Sequence, residues 1–324
     1  MAGAFAHMTV VDSLCNEPEF LVGAGRIGEI VRYTITENKN FCELGSVSPD
    51  LPFLNFLNAN SKGWANVMHY WNTGDIIRSG VSYFAGRNFE VRDEDTLRAL
   101  AWFFGYAAHV ATDLTVHPVL VASGYAYATN PTGHRFCELN QDAYIFRKHN
   151  SEDPAGVRYI ENCGIRSCNE PNDSFKLHPA IRELWLNCLS FISPTDVHMK
   201  NGAEGPLSAP TPDLWFADYT QRLGEYVEQG GGFVLLFRNI LEKVGACLPE
   251  SGEVDLKYIT NLKTPTNQIV DYDAVFEMTL TNVRKTWLEL AAALAARDRN
   301  VFALKNADLD TGEADVGGNQ VFLA

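Results

Sequence analysis

Long apolar runs, paired cysteines and strand-like alternation are all scarce in this 324-residue chain. No stretch of about 18 or more uncharged apolar residues occurs, which argues against a transmembrane helix. The seven cysteines are odd in number and form no regular framework, as is typical of reduced thiols in a cytosolic protein. The amino-terminal MAGAFAHMTVVDSLCNE has no positively charged start and reaches Asp12 early. The sequence therefore predicts no signal peptide and a cytoplasmic location.

Positive charge is also in short supply. Lysine and arginine total 26 against 40 acidic residues, which gives a formal net charge of −14 and a pI near 5.0. Such a surface repels nucleic acid and anionic membranes at long range unless a local cationic site overrides it, and a bound metal would be such a site. With 46% hydrophobic residues and a mean hydropathy of −0.13, the chain can form a large globular core, in one large domain or two modest ones.

What the sequence does contain is helical periodicity, most clearly in YDAVFEMTLTNVRKTWLELAAALAAR. The pattern predicts an all-α fold, with helices near residues 24–36, 51–58, 76–86, 94–122, 134–149, 178–192, 212–246 and 268–297. Residues 150–177 and 193–211 are rich in Asn, Ser, Pro and Gly and predict long surface loops. The polar, acidic residues 301–324 predict a loosely ordered tail, in which Asp308 and Asp310 match a calcium-binding loop poorly.

One glycine motif is misleading. LVGAGRIGEIV at residues 21–31 matches the glycine spacing of dinucleotide-binding folds at Gly23, Gly25 and Gly28. That motif needs a buried strand before it and a βαβ unit around it, whereas here CNEPEF precedes it, with Pro18 close ahead. The favoured interpretation is a helix start with small residues for close packing.

The stretch GYAAHVATDLTVHPVL, residues 105–120, places two histidines and an aspartate inside an apolar run. A step of four residues turns a helix by only ~40°, so His109, Asp113 and His117 share one face. A buried carboxylate is costly unless it is paired or binds a metal, and imidazole with carboxylate suits zinc and its neighbours. Two interpretations remain at this point: a metal site, or an internally hydrogen-bonded His/Asp cluster.

Other candidate ligands lie on either side of this stretch. His69 lies in WANVMHYWNTGD, and Asp50 ends the turn-like Ser-Pro-Asp of LGSVSPDLPFL, where a helix cap explains it as well as a metal ligand does. His134 and Glu138 are one turn apart and can share a helix face. His7, in AGAFAHM, taken alone is an ordinary terminal residue. Combined, these positions supply five imidazoles and three carboxylates, enough for two or three metal ions with open positions.

In their order along the chain, these motifs resemble the zinc-dependent phospholipase C family. The order is His7 in a small-residue stretch, Ser-Pro-Asp50, Met-His69-Tyr, Gly-Tyr-x-x-His109-x-x-x-Asp113-x-x-x-His117-Pro and His134-x-x-x-Glu138, within residues 2–150. The fungal single-strand-specific zinc nucleases and the catalytic domain of the glycosylphosphatidylinositol-cleaving phospholipases share that fold. The resemblance implies a nearly all-α helical bundle with long loops, forming a single domain over residues 1–324 in which 151–300 is a helical scaffold. It also implies a trinuclear zinc cluster that hydrolyses phosphodiesters.

The resemblance further implies a role for each ligand. Asp113 would bridge two zinc ions, and Asp50, His69 and His109 would complete one of them. The third, more separate ion would be held by His117, His134 and Glu138. The step from Asp113 to the next histidine is shorter than in secreted bacterial members of the family, which bears on the geometry of this third ion.

The second zinc ion would be held by His7 and Asp113 together with the amino group and carbonyl of the chain's first residue. Secreted members expose that ligating terminus by removing a leader. Here Ala2 stands five residues before His7, which is the spacing of the nuclease branch, and removal of Met1 would leave Ala2 as the terminus. An α-amine deprotonates readily for a Lewis acid, so we expect the Ala2 amine to bind zinc.

The substrate is less well defined than the chemistry. Paired cations would activate a water that Asp50 orients or deprotonates, and the third zinc would stabilise the leaving group. The aromatic residues Phe53, Tyr70 and Trp71 would stack a base, face a quaternary ammonium headgroup or belong to the core. The acidic surface and the absence of a leader favour a phospholipid or a small phosphodiester over nucleic acid. Two alternatives remain, a single-strand-preferring zinc nuclease and a catalytically idle, metal-stabilised binding protein.

Overall fold

Helices account for most of the described chain. The computed structural model of the protein describes residues 3–55, 58–87, 93–152, 156–195, 207–228, 254–315 and 317–322. Its α-helices are α1 (Ala4–Asn16), α2 (Gly25–Glu37), α3 (Lys39–Val47), α4 (Ala59–Tyr70), α5 (Thr73–Ala85), α6 (Glu94–Ala122), α7 (Pro131–His149), α8 (Val157–Asn162), α9 (Pro179–Leu189), α10 (Pro212–Glu228) and α11 (Tyr272–Ala296). The strands described are two small antiparallel pairs, Asn169–Glu170 with Asp173–Leu177 and Leu262–Lys263 with Ile269–Val270. The all-α prediction is therefore confirmed.

Most of the predicted helices are confirmed, with ends shifted by a few residues. α6 has the predicted bounds, and α2, α5, α7, α9 and α11 overlap their predicted segments. The helix predicted over 212–246 is α10 as far as Glu228, and its remainder lies outside the described residues. The sequence pattern does not predict α1, α3 or α4. α1 is buried almost all round, so it lacks the one-sided apolar stripe on which such predictions depend.

Three sequence predictions need correction or sharpening. Within the stretch 51–58, predicted as an α-helix, residues 51–54 belong instead to a 3-10 helix, Ser48–Leu54, which ends where the Asn55 amide donates to the Pro52 carbonyl three residues back. Residues 56–57 lie outside the described residues. The loop predicted over 150–177 contains α8 and the first strand pair. The glycine motif begins inside a 3-10 helix, Pro18–Ala24, and continues into α2, so the strand that a dinucleotide-binding motif requires is replaced by helix.

α6 is the central helix of the fold. Every residue from Ala99 to Leu120 is buried, and the helix packs against α2, α3, α9 and α11. No helix in the described parts of the chain has the length and apolar character needed to cross a bilayer. Because they lie within this buried stretch of α6, His109, Asp113 and His117 are enclosed by protein, where polar groups are costly unless they are partnered.

Two glycines bring α3 and α6 into backbone contact. A Cβ at Gly105 would lie 1.9 Å from the carbonyl oxygen of Cys42, and one at Gly45 would lie 2.0 Å from that of Trp102. Any side chain at either position would push the helices apart. The close approach allows the Ser46 carbonyl, at the end of α3, to reach a ring nitrogen of His109 on α6.

The carboxy-terminal segment is packed rather than loose, which corrects the prediction of a loosely ordered tail. Phe302, Leu304, Ala307 and Leu309 are buried although polar residues surround them in sequence. The segment is held by hydrogen bonds to α4, α5 and α6 and by two isolated β-bridges within it, so no periodic signal marks it. Its Asp308 accepts from the backbone amides of Asp310 and Thr311.

Candidate metal centre

Four histidines of the site make the same type of hydrogen bond to the backbone. Each uses Nδ1, with His69 bonded to Ala65 O (2.7 Å), His109 to Ser46 O (2.8 Å), His117 to Leu309 O (2.9 Å) and His134 to Tyr125 O (2.7 Å). A carbonyl oxygen can only accept, so in each ring Nδ1 carries the proton and the neutral ring keeps the Nε2 lone pair. This tautomer and this second bond are typical of histidines that ligate metals in proteins.

Asp113 lies among the free edges of these rings. Its Oδ1 is 3.3 Å from His7 Nε2 and 3.6 Å from His117 Nε2. Its Oδ2 is 3.3 Å from His109 Nε2. Because both oxygens of one buried carboxylate face histidines from different helices, the side chain is suited to bridge two cations.

Asp50 joins the group from the 3-10 helix Ser48–Leu54. Its Oδ1 lies 3.0 Å from His69 Nε2 and 3.9 Å from His109 Nε2. The two Nε2 atoms are themselves 3.4 Å apart, although both are lone-pair acceptors when Nδ1 is protonated. A cation between such acceptors would resolve this repulsion. Asp50 keeps 15% of its side chain exposed while that of His109 is fully buried, so solvent reaches this group at Asp50.

A further group lies at the junction of α6 and α7. His134 and Glu138, one turn apart on α7, approach with Nε2 and Oε1 at 2.9 Å, and His117 Nε2 lies 3.5 Å from the same oxygen. The other oxygen of Glu138 accepts from Arg135 Nη1 at 2.9 Å. The Arg135 guanidinium also lies over the exposed ring of Tyr127, 5.3 Å from its centroid. The positive charge of Arg135 therefore lies beside this group, at the rim of the site.

Burial and neighbouring charge shift the pKa values of these groups in different directions. Burial alone would raise the pKa of Asp113, but His117 and His109 hold it well below its usual range. Burial would lower the pKa of His109, but Asp113 and Asp50 raise it. The pKa of His7 is lowered by burial and by the neighbouring His109. An ionised Asp113 and a neutral His7 are the protonation states that metal ligation requires.

His7 is positioned by an interaction at the start of α1. Asp142, four residues beyond Glu138 on α7, accepts hydrogen bonds from the backbone amides of Phe5 and Ala6. It thereby caps α1 from another helix, and burial raises its own pKa well above the usual range. Neither ring nitrogen of His7 has a hydrogen-bond partner among the described residues. Ala2, the predicted terminal ligand, lies outside the described residues.

The three aromatic residues predicted to contact substrate surround His69. The ring of Phe53 is 5.2 Å from the imidazole of His69, and that of Tyr70 is 6.2 Å from it. Trp71 is half-buried, with its ring 6.1 Å from that of Tyr70. The hydroxyl of Tyr70 donates to Asp310 Oδ2 at 3.0 Å, so this residue is tied to the carboxy-terminal segment.

The donor atoms fall into three compact groups, within each of which all atoms lie within 4.8 Å of one another. The groups are His7, Asp50 and His109; His69, His109 and Asp113; and His117, His134 and Glu138. Imidazole nitrogen and carboxylate oxygen are the donors that zinc takes in catalytic sites. With their oriented tautomers, the residues present therefore fit zinc. The structure brings together every described residue that the sequence predicts as a ligand.

Other residues of the site carry no signal in the sequence. The carbonyl groups that orient the four histidines are backbone atoms, so their residue types reveal nothing. Asp142 lies on the same helix face as Glu138, but its partners are backbone amides of α1, far away in sequence. Arg135 follows His134 directly, and no ligand spacing includes it. The only sequence signal that involves Asp310 is a poor match to a calcium-binding loop.

Comparison with known families agrees with this geometry. The family model for zinc-dependent phospholipase C matches residues 6–192, more than half of the chain. The chain therefore belongs to the zinc-dependent phospholipase C family. All eight described donor residues lie inside the matched region, whereas α10, α11 and the carboxy-terminal segment lie beyond it. No curated protein and no solved structure matches the chain.

Proposed function

We propose that this chain is a zinc-dependent phosphodiester hydrolase of phospholipase C type. The observation that carries the proposal is the clustering of eight buried or half-buried donor residues, Asp113 among them, in a chain of this family. Four of the five histidines have the tautomer that directs Nε2 toward the carboxylates. A hydrogen-bonded structural cluster would not need two lone-pair acceptors 3.4 Å apart, as His69 and His109 are.

The proposal assigns three ions to the donor residues, and it places Asp50 and His109 with His69 rather than with His7. One group contains His69, His109 and Asp113, with Asp50 beside them, and a second contains His117, His134 and Glu138. Asp113 is shared with His7, which we assign to the remaining ion together with the amine of Ala2. Zinc bound there would supply Lewis acidity, which lowers the pKa of water and neutralises charge on phosphate oxygens.

The chain's own residues then have distinct tasks. Asp50 is the partly exposed carboxylate of the centre, and its Oδ1 is the atom we assign to accept a proton from the attacking water. His69, with Nε2 3.0 Å from that oxygen, would help Asp50 to hold a cation. Asp113 and His109 are fully buried and serve to bind and orient. Arg135, about a quarter exposed at the rim, offers a positive charge to an anionic substrate.

Phospholipid is the substrate class that the proposal favours. The net charge of −14 opposes attraction of a long polyanion, whereas a single phosphodiester needs only the local cations of the site. The half-buried rings of Phe53, beside His69, and of Trp71, beside Tyr70, offer apolar surfaces to the non-phosphate parts of such a substrate.

The experiment begins with elemental mass spectrometry on protein purified with a removable carboxy-terminal tag. Two to three zinc ions per chain are expected in the wild type, with fewer in Asp113→Asn. Asp95→Asn, which changes an exposed carboxylate remote from the donor groups, is the matched control and should leave the zinc content unchanged.

Activity is then measured on mixed phospholipid vesicles, with release of diacylglycerol as the signal. Single-stranded DNA is the competing substrate. Faster turnover of DNA, with a steep dependence on salt, would replace the proposal with a nuclease. Full zinc content without turnover of any phosphodiester would support the idle, metal-stabilised protein instead.

A further inference from the structure

The carboxy-terminal segment contacts both sides of the metal centre through a single residue. The carbonyl of Leu309 accepts from Nδ1 of His117 at 2.9 Å, while its amide donates to the carbonyl of His69 at 2.8 Å. His69 and His117 belong to different donor groups. The backbone of one buried residue, far from both in sequence and outside the family match, is thus bonded to two candidate ligand residues.

Three side chains near the start of α5 hold this part of the segment in register. The hydroxyl of Thr73 accepts from the Ala307 amide at 2.9 Å and donates to the Ala307 carbonyl at 3.1 Å. Asn306 exchanges two hydrogen bonds with Asp75, one to its backbone amide and one to its carboxylate. On the other side of Leu309, Tyr70 donates to Asp310. Residues 306–310 are therefore clamped immediately before and after Leu309.

The clamp acts on the two histidines unequally. For His117 the bond from Leu309 goes to the ring, and it fixes both the tautomer and the ring orientation. In His69, the Leu309 amide is bonded only to the main-chain carbonyl. The orientation of the His69 ring is set separately, by the bond from its Nδ1 to the Ala65 carbonyl. A shift of residues 306–310 would therefore reorient His117 first.

We propose that residues 306–310 are a positioning element for the ion held by His117, His134 and Glu138, with Thr73 and Asn306 setting the place of the Leu309 carbonyl. This inference rests on the proposed zinc-dependent function. Bonds to the non-ligating nitrogen of a histidine fix its orientation and raise its basicity, and their loss weakens metal binding by roughly 10–100-fold. The carboxy-terminal segment is on this view part of the metal centre rather than an appendage of the scaffold.

The test compares two pairs of variants of the full-length zinc protein. Thr73→Val keeps the shape of the side chain but removes both bonds to Ala307, whereas Thr73→Ser keeps the hydroxyl. Asn306→Ala removes the bonds to Asp75, whereas Asn319→Ala changes an exposed asparagine of the same segment. The readout is the loss of zinc to a competing chelator, followed with a zinc-sensitive dye. His134→Ala lacks one candidate ligand of the ion assigned to His117, His134 and Glu138. The kinetic phase of zinc loss that is missing in this variant therefore belongs to that ion.

Thr73→Val and Asn306→Ala are expected to speed this one phase by about tenfold, at the low end of the effect of removing a bond to a ligand. Thr73→Ser and Asn319→Ala should match the wild type. Equal acceleration of every phase together with a lower melting temperature would overturn the inference in favour of a purely structural role. So would unchanged zinc loss in both clamp variants. Wild-type protein without zinc would overturn the proposed function as well, which separates the two failures.

Discussion

The imidazole of His7 stacks on that of His109, with ring centroids 4.2 Å apart and planes 15° from parallel. The two residues come from α1 and α6, and each also lies 3.3 Å from a different oxygen of Asp113. Two protonated imidazoles could not stack this closely in a buried site without strong repulsion. The contact is consistent with neutral rings that lie beside bound cations. It also means that His7 connects α1 to the candidate ligands of α6.

Replacing His7 tests this link directly. His7→Phe keeps a planar ring against His109 but removes both nitrogen atoms, so the stack is retained while the candidate ligand is lost. We expect the zinc content to fall by about one ion per chain and the protein to remain folded, as judged by circular dichroism. His149→Phe, on the last turn of α7 and outside the donor groups, serves as the control. Unchanged zinc content in His7→Phe would remove His7 from the proposed ligands.

The proposal for Ala2 makes a separate prediction. An amino-terminal extension would bury an additional peptide where the free amine is required, so it should lower zinc content and activity together. The same extension placed at the carboxy terminus is not an adequate control, because Leu309 in the carboxy-terminal segment is bonded to two candidate ligand residues, His69 and His117. A cleavable amino-terminal tag is better, since cleavage that restores Ala2 as the first residue should restore both values. Equal zinc content before and after cleavage would contradict the assignment.

Asp142 is expected to stabilise the protein as a helix cap contributed by another helix. Removing a capping side chain costs about 1 kcal/mol of unfolding free energy, so Asp142→Ala should destabilise the protein by at least that amount. Asp142→Asn keeps an oxygen acceptor for the amides of Phe5 and Ala6 and should retain most of the stability. Chemical denaturation with saturating zinc measures both. Equal stability losses in the two variants would show that the carboxyl group itself, rather than its capping bonds, is required.

The sequence identifies the candidate ligands more readily than the groups that orient them. His109, Asp113 and His117 were identifiable because the fixed turn of a helix converts spacing into a shared face. Asp50 was ambiguous between cap and ligand, since both roles use the same short carboxylate at the start of a turn. The choice depends on a neighbour, His69, that only the folded chain brings within 3.0 Å.

The unpredicted parts are those in which backbone atoms carry the interaction. Leu309 contributes a carbonyl and an amide, and any residue type would offer the same two groups. The polar sequence around it indicated a loose tail, because its order comes from contacts with α4, α5 and α6 rather than from periodicity. The bond between Tyr70 and Asp310 is of the same kind, since it joins segments that are far apart in sequence.

The close contact between α3 and α6 gives a prediction about packing. Gly105→Ala would place a methyl group 1.9 Å from the Cys42 carbonyl, which the two helices can accommodate only by moving apart. Overpacking of this kind costs about 1–3 kcal/mol, and it would also lengthen the bond from His109 to Ser46. Gly86→Ala, where nothing lies within 4 Å, should leave stability and zinc affinity near wild-type values. Thermal denaturation and zinc titration of both variants would measure the effect.

Glu43 gives a prediction about the dependence of stability on pH. This residue of α3 is buried, accepts a hydrogen bond from Tyr159 at 2.8 Å and lies 3.8 Å from Lys39. Burial raises its pKa from 4.5 to about 7, although Lys39 and Tyr159 act in the opposite direction. Because the pKa of the folded state is the higher one, the stabilisation is complete below the unfolded-state pKa and is lost as pH rises through the folded-state value.

The difference in unfolding free energy between wild type and Glu43→Gln isolates this effect. Both proteins have the same candidate metal ligands, so any influence of pH on metal binding cancels in the difference. Between pH 4.5 and pH 8 we expect the wild type to lose about 3 kcal/mol relative to Glu43→Gln, from the separation of the two pKa values. Glu17→Gln, at a side chain that is 79% exposed, should show no such trend. Parallel stability curves for wild type and Glu43→Gln would mean that Glu43 titrates at its ordinary pKa, with Lys39 and Tyr159 compensating fully for its burial.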